Sequence, residues 1–229
     1  MKKPPRNLPA PPLAAPPRQP VITGPGKVRL IAGQWRGTKL AVLDAPGLRP
    51  TSDRVRETLF NWLMPALPGA RVLDLFAGSG ALGLEAVSRG ASSAVLVERD
   101  PALAAALREV SARLPGGEVV RVVQGDAMAA LGQFVDGEFD IAFLDPPFAM
   151  DVWDAVLPAL APKLAEDAWL YVESALASPP ALGTDWRLHR EGTTRETRYA
   201  LYRRNRPRPA VAADTLPVDP AGIVPAASE

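Results

Sequence analysis

Cysteine is absent from the 229-residue chain, and histidine occurs once, as His189. The first absence excludes a disulfide framework, and the two together exclude a zinc site built from Cys and His. A serine–histidine triad would have to use His189, which stands in "WRLHREG" with nothing around it resembling a nucleophile elbow, so it is assigned no role. No metal site is expected. Long apolar runs are missing too. "AVLV" and "IAFL" fall far short of the roughly 20 residues that span a bilayer, and no signal-peptide core follows the N-terminal lysines. A soluble, cytoplasmic protein without a membrane partner is expected. No apolar patch in the sequence demands a dimer, so a monomer is expected as well.

Net charge is also scarce, at +1, but its distribution is uneven. Residues 1–60 hold 11 Lys/Arg against 3 Asp/Glu, a surplus of about eight positive charges that the rest of the chain nearly cancels. Such a segment suits a polyanion, although a solvated face would look the same. The stretches 1–26 and 205–229 are rich in proline and lack apolar periodicity, so both are expected to be disordered tails.

Between the tails the pattern changes twice. In 27–68, "KVRLIAG" and "KLAV" flank the turn residues "QWRG" as a β-hairpin. "RPTSDRVRETLFNWLM" follows as a helix with Thr51, Ser52 and Asp53 as candidate N-caps. From 69 to 204 short β-rich runs alternate with helical stretches. Strands are predicted at "RVLDLF", "SAVLVE", "EVVRVVQ", "FDIAFLD" and "AWLYVES", with helices over 79–90, 101–114, 126–135 and 151–165. That alternation is the pattern of an α/β, doubly wound, mostly parallel sheet. "WRLHRE" and "TRYALYRR" then predict a terminal antiparallel hairpin, which brings the sheet to seven strands.

Gly78, Gly80 and Gly83 spell G-x-G-x-x-G between the first strand and its helix. The glycines allow a tight turn and a close backbone approach to a ligand, without saying which ligand. Glu98, at the end of the second strand, could take the ribose hydroxyls of either NAD or S-adenosylmethionine. Asp74, four residues before Gly78, separates the two. It would set a carboxylate where NAD places its pyrophosphate, whereas S-adenosylmethionine presents an ammonium and a sulfonium. Capping the following turn is the alternative role for Asp74. Asp126, after the third strand, could accept an adenine amino group, N-cap the helix starting at Ala127, or do both.

The fourth strand ends in "FLDPPFAM". Pro146 and Pro147 stiffen the backbone and carry no N–H, leaving carbonyl oxygens as acceptors beside the Asp145 carboxylate. A planar exocyclic amine needs such an acceptor pair, because its lone pair is delocalised until its protons are held. Phe148 offers a face on which a base can stack. In-line geometry would carry most of the catalysis. A proline-stiffened turn over a buried Phe is the structural alternative.

"DLFAGSGALGLEAVSRGA" with "DPPF" resembles the amino-group methyltransferases of the class I, Rossmann-like fold that use S-adenosyl-L-methionine. "LIAGQWRGTKL", "GLRPTSDRVRETLFNWL", "YVES" and the last hairpin extend the resemblance to the RsmD family, bacterial 16S rRNA guanine-N2 methyltransferases, over nearly all of 27–204. The resemblance implies a methyltransferase domain over 69–204 and an N-terminal hairpin–helix extension over 27–68. It puts Asp74, Phe76, Gly78, Ser79, Gly80, Glu98, Asp126 and Ala127 at the cofactor, and Asp145, Pro146, Pro147 and Phe148 on the catalytic loop. Arg29, Arg36, Arg49, Thr51, Arg54 and Arg56, with Asp53, would lie on the extension beside the active site, facing 16S rRNA of the small ribosomal subunit. Arginines there could instead pair with Asp53 and Glu57 on the helix. Adenine N6 in RNA or DNA and a protein glutamine remain alternative amines. From other classes, a dehydrogenase and a catalytically silent RNA-binding protein remain alternatives.

Overall fold

The structure, a computed structural model, describes residues 28–40, 52–147 and 150–205. The two expected tails, apart from Asn205, and the candidate residues Arg49, Thr51 and Phe148 lie outside the described residues.

Seven strands form one sheet in the order β3-β2-β1-β4-β5-β7-β6. They are β1 (Arg71–Asp74), β2 (Ser93–Glu98), β3 (Val120–Gln124), β4 (Phe139–Leu144), β5 (Leu164–Ala175), β6 (Trp186–Thr193) and β7 (Thr197–Arg204). The first five run parallel to one another, whereas β7 runs antiparallel to both β5 and β6. The helices are α1 (Asp53–Leu63), α2 (Ala81–Ser88), α3 (Pro101–Arg113), α4 (Ala127–Leu131) and α5 (Trp153–Leu160). This is the expected doubly wound α/β architecture with its terminal hairpin. The order reverses between β1 and β4, and a ligand crevice forms at such a switch point, outside the strands' carboxyl ends.

Alternation along the strands explains the two-sided core. Val72, Phe143, Tyr171 and Leu201 face one way and are buried with Leu59, Phe60 and Leu63 of α1, Leu84 of α2 and Leu107 of α3. Leu73, Leu144, Leu170 and Val172 face the other way, against Leu131 of α4 and Val156 and Leu160 of α5.

Three elements differ from expectation, the first being the helix predicted over 126–135, which stops at Leu131 before Gly132. The helix predicted over 151–165 ends at Leu160 and gives way to a 3-10 turn, Ala161–Lys163, with β5 beginning at Leu164. Pro162, which lacks an N–H, breaks the helical ladder there. Pairing with β4 then slips between Phe139 and Ile141, so the first residues of β5 are irregular. The N-terminal hairpin is reduced to one antiparallel bridge, Arg29↔Lys39, within the described residues. Helix α1 starts where its caps suggested, with Ser52 Oγ accepting from Val55 N at 3.3 Å.

Beyond its own cross-strand bonds, Leu30 N to the Thr38 carbonyl at 3.0 Å and Leu40 N to the Val28 carbonyl at 3.1 Å, the hairpin is held by α2. Glu85, fully buried, accepts from the Ile31 and Ala32 amides at 2.7 and 2.9 Å and from Arg89 Nε at 2.7 Å. Ser88 Oγ accepts from Trp35 N at 3.0 Å and donates to the Ala32 carbonyl at 2.6 Å. Gly33 has φ +79°, and a Cβ there would fall 1.8 Å from the Ser88 carbonyl oxygen, so only glycine lets the chain lie this close.

Candidate active site

The glycine motif wraps the end of β1. Gly78 and Gly80 have φ of +53° and +76°, a left-handed turn that other residues adopt only with strain. Gly83 serves a different need: a Cβ there would sit 2.1 Å from Leu96 Cδ2, so its absence lets α2 press onto the sheet. The same closeness brings Gly83 N within 2.9 Å of Asp74 Oδ2.

Asp74 is 2% exposed, and burial pushes its carboxyl up from 3.8 to about 7. The amides of Gly83 and Phe76 pull the other way, while the charge of Glu98 adds to the rise. Glu98 is raised too, chiefly by burial, and works as a clamp on the loop. Its Oε2 accepts from Gly78 N at 2.8 Å and its Oε1 from Asp100 N at 2.7 Å. Among the described residues no Lys, Arg or His forms an ion pair with either carboxyl. Two such groups in one crevice oppose a pyrophosphate and suit a cation with hydroxyl donors beside it. The residues present therefore fit the ammonium, sulfonium and ribose of S-adenosylmethionine.

Asp126 is the N-cap of α4, accepting from Met128 N at 2.8 Å and Ala129 N at 3.4 Å, both through Oδ1. Its other oxygen keeps the capacity to accept from a ligand. Phe76 and Ser79 are half-buried on the loop after β1, and Ala127 is buried at the first position of α4. These residues line the carboxyl ends of β1, β2 and β3.

Asp145 follows β4, next to β1 in the sheet. It is half-buried, Pro146 is buried and Pro147 is exposed. The Pro147 carbonyl accepts from Met150 N at 2.8 Å, so one of the two proline carbonyls expected as acceptors already serves its own turn.

The arginines divide. Arg29, Arg36 and Arg54 are exposed, but Arg56 has no exposed surface. Its Nη2 donates to the Arg29 carbonyl at 3.0 Å and to Asp53 Oδ1 at 2.7 Å, and its Nη1 lies 3.9 Å from Glu85 Oε2. Arg56, expected to contact RNA, is instead an interior strut: α1 turns this side chain toward α2, with Asp53 of its own helix as the nearer countercharge and Glu85 of α2 as the farther one. Sequence reasoning passed over Glu85, Ser88 and Arg89, whose partners lie more than 50 residues away for the hairpin contacts.

A family model described as "Conserved hypothetical protein 95" matches residues 28–203. Ribosomal RNA small subunit methyltransferase D of Escherichia coli (strain K12) is 47% identical over 190 residues, covering 82% of this chain and 95% of that one. The chain belongs to the RsmD family. The enzyme of the same name from Haemophilus influenzae is 42% identical, covering 77% of this chain and 94% of its own. A solved structure, methyltransferase yhhF from Escherichia coli, superposes with a TM-score of 0.70 at 48% identity, covering 78% of this chain and 98% of its own. The RsmD family has the class I methyltransferase fold and uses S-adenosylmethionine, in agreement with the carboxylate-lined glycine loop.

Proposed function

We propose that this RsmD-family chain transfers a methyl group to the exocyclic N2 amine of one guanine in 16S rRNA, within an assembling or assembled small ribosomal subunit. The observation that carries the reading is the acceptor pair of Asp145 and the Pro146 carbonyl, one strand away from the carboxylate-lined loop at the switch point. The curated relatives named above, called ribosomal RNA small subunit methyltransferase D, support the choice of RNA.

S-adenosylmethionine supplies a methyl group already activated on a sulfonium sulfur. Asp74 meets its cationic methionine end, Glu98 the ribose hydroxyls and Asp126 the adenine amino group. Gly78, Ser79 and Gly80 shape the cradle, with Phe76 and Ala127 along its wall. Asp145 and the Pro146 carbonyl accept the two N–H bonds of the guanine amine, which localises its lone pair and aims it in line. With S-adenosylmethionine held there, the amine would take the methyl as the methyl–sulfur bond breaks, its bonding pair staying on sulfur, and would then release one proton. No strong base is needed, because that proton is acidic only after alkylation. Phe148, in the same motif, is the stacking partner of the base.

Exposed Arg29, Arg36 and Arg54, with Arg49 and Thr51, contact phosphates and set the register of the RNA without reading its bases. The test is direct: purified protein, S-adenosylmethionine labelled on the methyl and small subunits lacking the modification, followed by digestion to nucleosides. Label in N2-methylguanosine is expected. Label in N6-methyladenosine, or none, overturns the reading.

A further inference from the structure

Asp145 and Pro146 hold an amine, but both guanine N2 and adenine N6 are amines. Something else must choose between them. The two bases differ beside the amine: guanine carries a donor there, N1–H, and adenine an acceptor, N1.

The sheet sets a second carboxylate at that place. Strands β4 and β5 are in register through Phe143↔Tyr171 and Leu144↔Val172, so one further step brings Glu173 alongside Asp145. On the other side Glu173 pairs with Tyr199 of β7. Alternation puts this row on the α1 face, two residues beyond Phe143, Tyr171 and Leu201. A methyl donor held by Asp74 and Glu98 would lie on the β1 side, which would leave the side of β5 and β7 to the ring of a base held by Asp145. Neighbouring strands lie about 4.8 Å apart. A carboxylate one strand over thus reaches the ring atom next to the amine.

Glu173 is 7% exposed and is fixed from below, where the hydroxyl of fully buried Tyr171 donates to its Oε2 at 2.9 Å. Asp145 and Glu173 together contribute to holding the Tyr171 phenol well above its ordinary value, after burial itself, which places both charges close to that ring. A carboxylate offers about four acceptor sites, of which the Tyr171 hydroxyl takes one. Beyond Glu173 the row continues to Tyr199, stacked on Trp62 of α1 at 5.7 Å, an aromatic wall for the outer part of a base, and then to Gly192 of β6.

We infer that Glu173 is the specificity-determining residue of the site, accepting the N1–H of the guanine whose N2 amine Asp145 and Pro146 hold. The inference rests on the guanine-N2 reading above. Adenine would bring its N1 lone pair against the carboxylate, so it is repelled where guanine is bound.

The E173Q variant tests this without removing the acceptor that Tyr171 uses, and its amide adds a donor. Two 16S rRNAs are compared, identical except that the target guanine is replaced in one by 2-aminopurine, which keeps the N2 amine but has an acceptor at N1. Wild-type protein is expected to prefer guanine. In E173Q the guanine rate falls about 10- to 100-fold, the range of one hydrogen bond to a charged group. The 2-aminopurine rate holds or rises, so the preference collapses by at least tenfold. A ratio of rates on one preparation is independent of the folded fraction. If E173Q loses S-adenosylhomocysteine binding, Y171F serves instead: loosening the carboxylate lowers the guanine rate and spares 2-aminopurine. An unchanged ratio, whether both rates stay high or fall together, overturns the inference. Wild-type protein that leaves guanine N2 unmethylated overturns the parent reading instead, and the wild-type arm alone shows it.

Discussion

Substituting Asp74 by Asn separates the stability of the protein from its ligand binding, in opposite directions. The carboxyl is raised from 3.8 to about 7 by burial. A carboxyl with a raised folded-state value contributes stability that is complete below its unfolded value and is lost as pH rises through the folded one. The window here runs from about pH 4 to pH 7. Three pKa units correspond to about 4 kcal/mol at 1.36 kcal/mol per unit, of which about 3 kcal/mol falls between pH 5 and pH 8. The carboxamide of D74N keeps an acceptor for the Gly83 amide but carries no charge, so the variant lacks this loss. Urea unfolding without cofactor should show wild-type stability declining relative to D74N from pH 5 to pH 8. Asp140 titrates in both proteins and cancels in the difference, whereas the charge of Glu98 is part of the rise at Asp74 and its effect there disappears with the carboxyl. Calorimetry with S-adenosylhomocysteine should show the reverse ranking: wild-type affinity falls about tenfold per pH unit below pH 7, as the carboxylate that meets the ammonium is protonated. D74N binds weakly at every pH. Parallel stability profiles, or wild-type affinity independent of pH between 5.5 and 8, would refute the assignment of Asp74 as the cation acceptor.

Three more substitutions separate catalysis, scaffold and RNA contact. D145A should abolish methyl transfer while S-adenosylhomocysteine still binds, as calorimetry on the activity-tested sample will show; retained turnover would mean that Asp145 does not grip the amine. R56M should lower unfolding free energy by about 2 kcal/mol, less than the ~3–5 kcal/mol of a broken buried pair, because Glu85 keeps Arg89 and two amides. R54E should leave unfolding unchanged, weaken RNA binding and flatten its dependence on salt. Equal effects of R56M and R54E on RNA affinity would reject the division between strut and contact.

The parts of the molecule legible from sequence are those written by short-range spacing. The strand–glycine–helix unit, the acid at each strand end, Ser52 as a cap and the "DPP" turn all depend on residues within a few positions of one another. Burial of charge is different. Nothing near Arg56 distinguishes it from Arg54, yet a rotation of two residues around α1 turns one to solvent and the other toward Glu85 of α2. Glu85 in turn reads as an ordinary helix carboxylate, since the amides it serves lie 53 and 54 residues earlier. Glu173 was part of the "YVES" resemblance without a role of its own. Its place beside Asp145 follows from strand register, which the sequence of β5 alone does not display.

The central claim is that this chain places one methyl group on the N2 amine of one guanine in 16S rRNA. The most direct measurement is mass-spectrometric mapping of 16S rRNA from cells lacking the protein, with the wild-type and D145A chains each returned to them. The account predicts that a single N2-methylguanosine disappears, returns with the wild-type chain and stays absent with D145A. An unaltered set of guanine methylations, or loss of a methyl at an adenine instead, would contradict it.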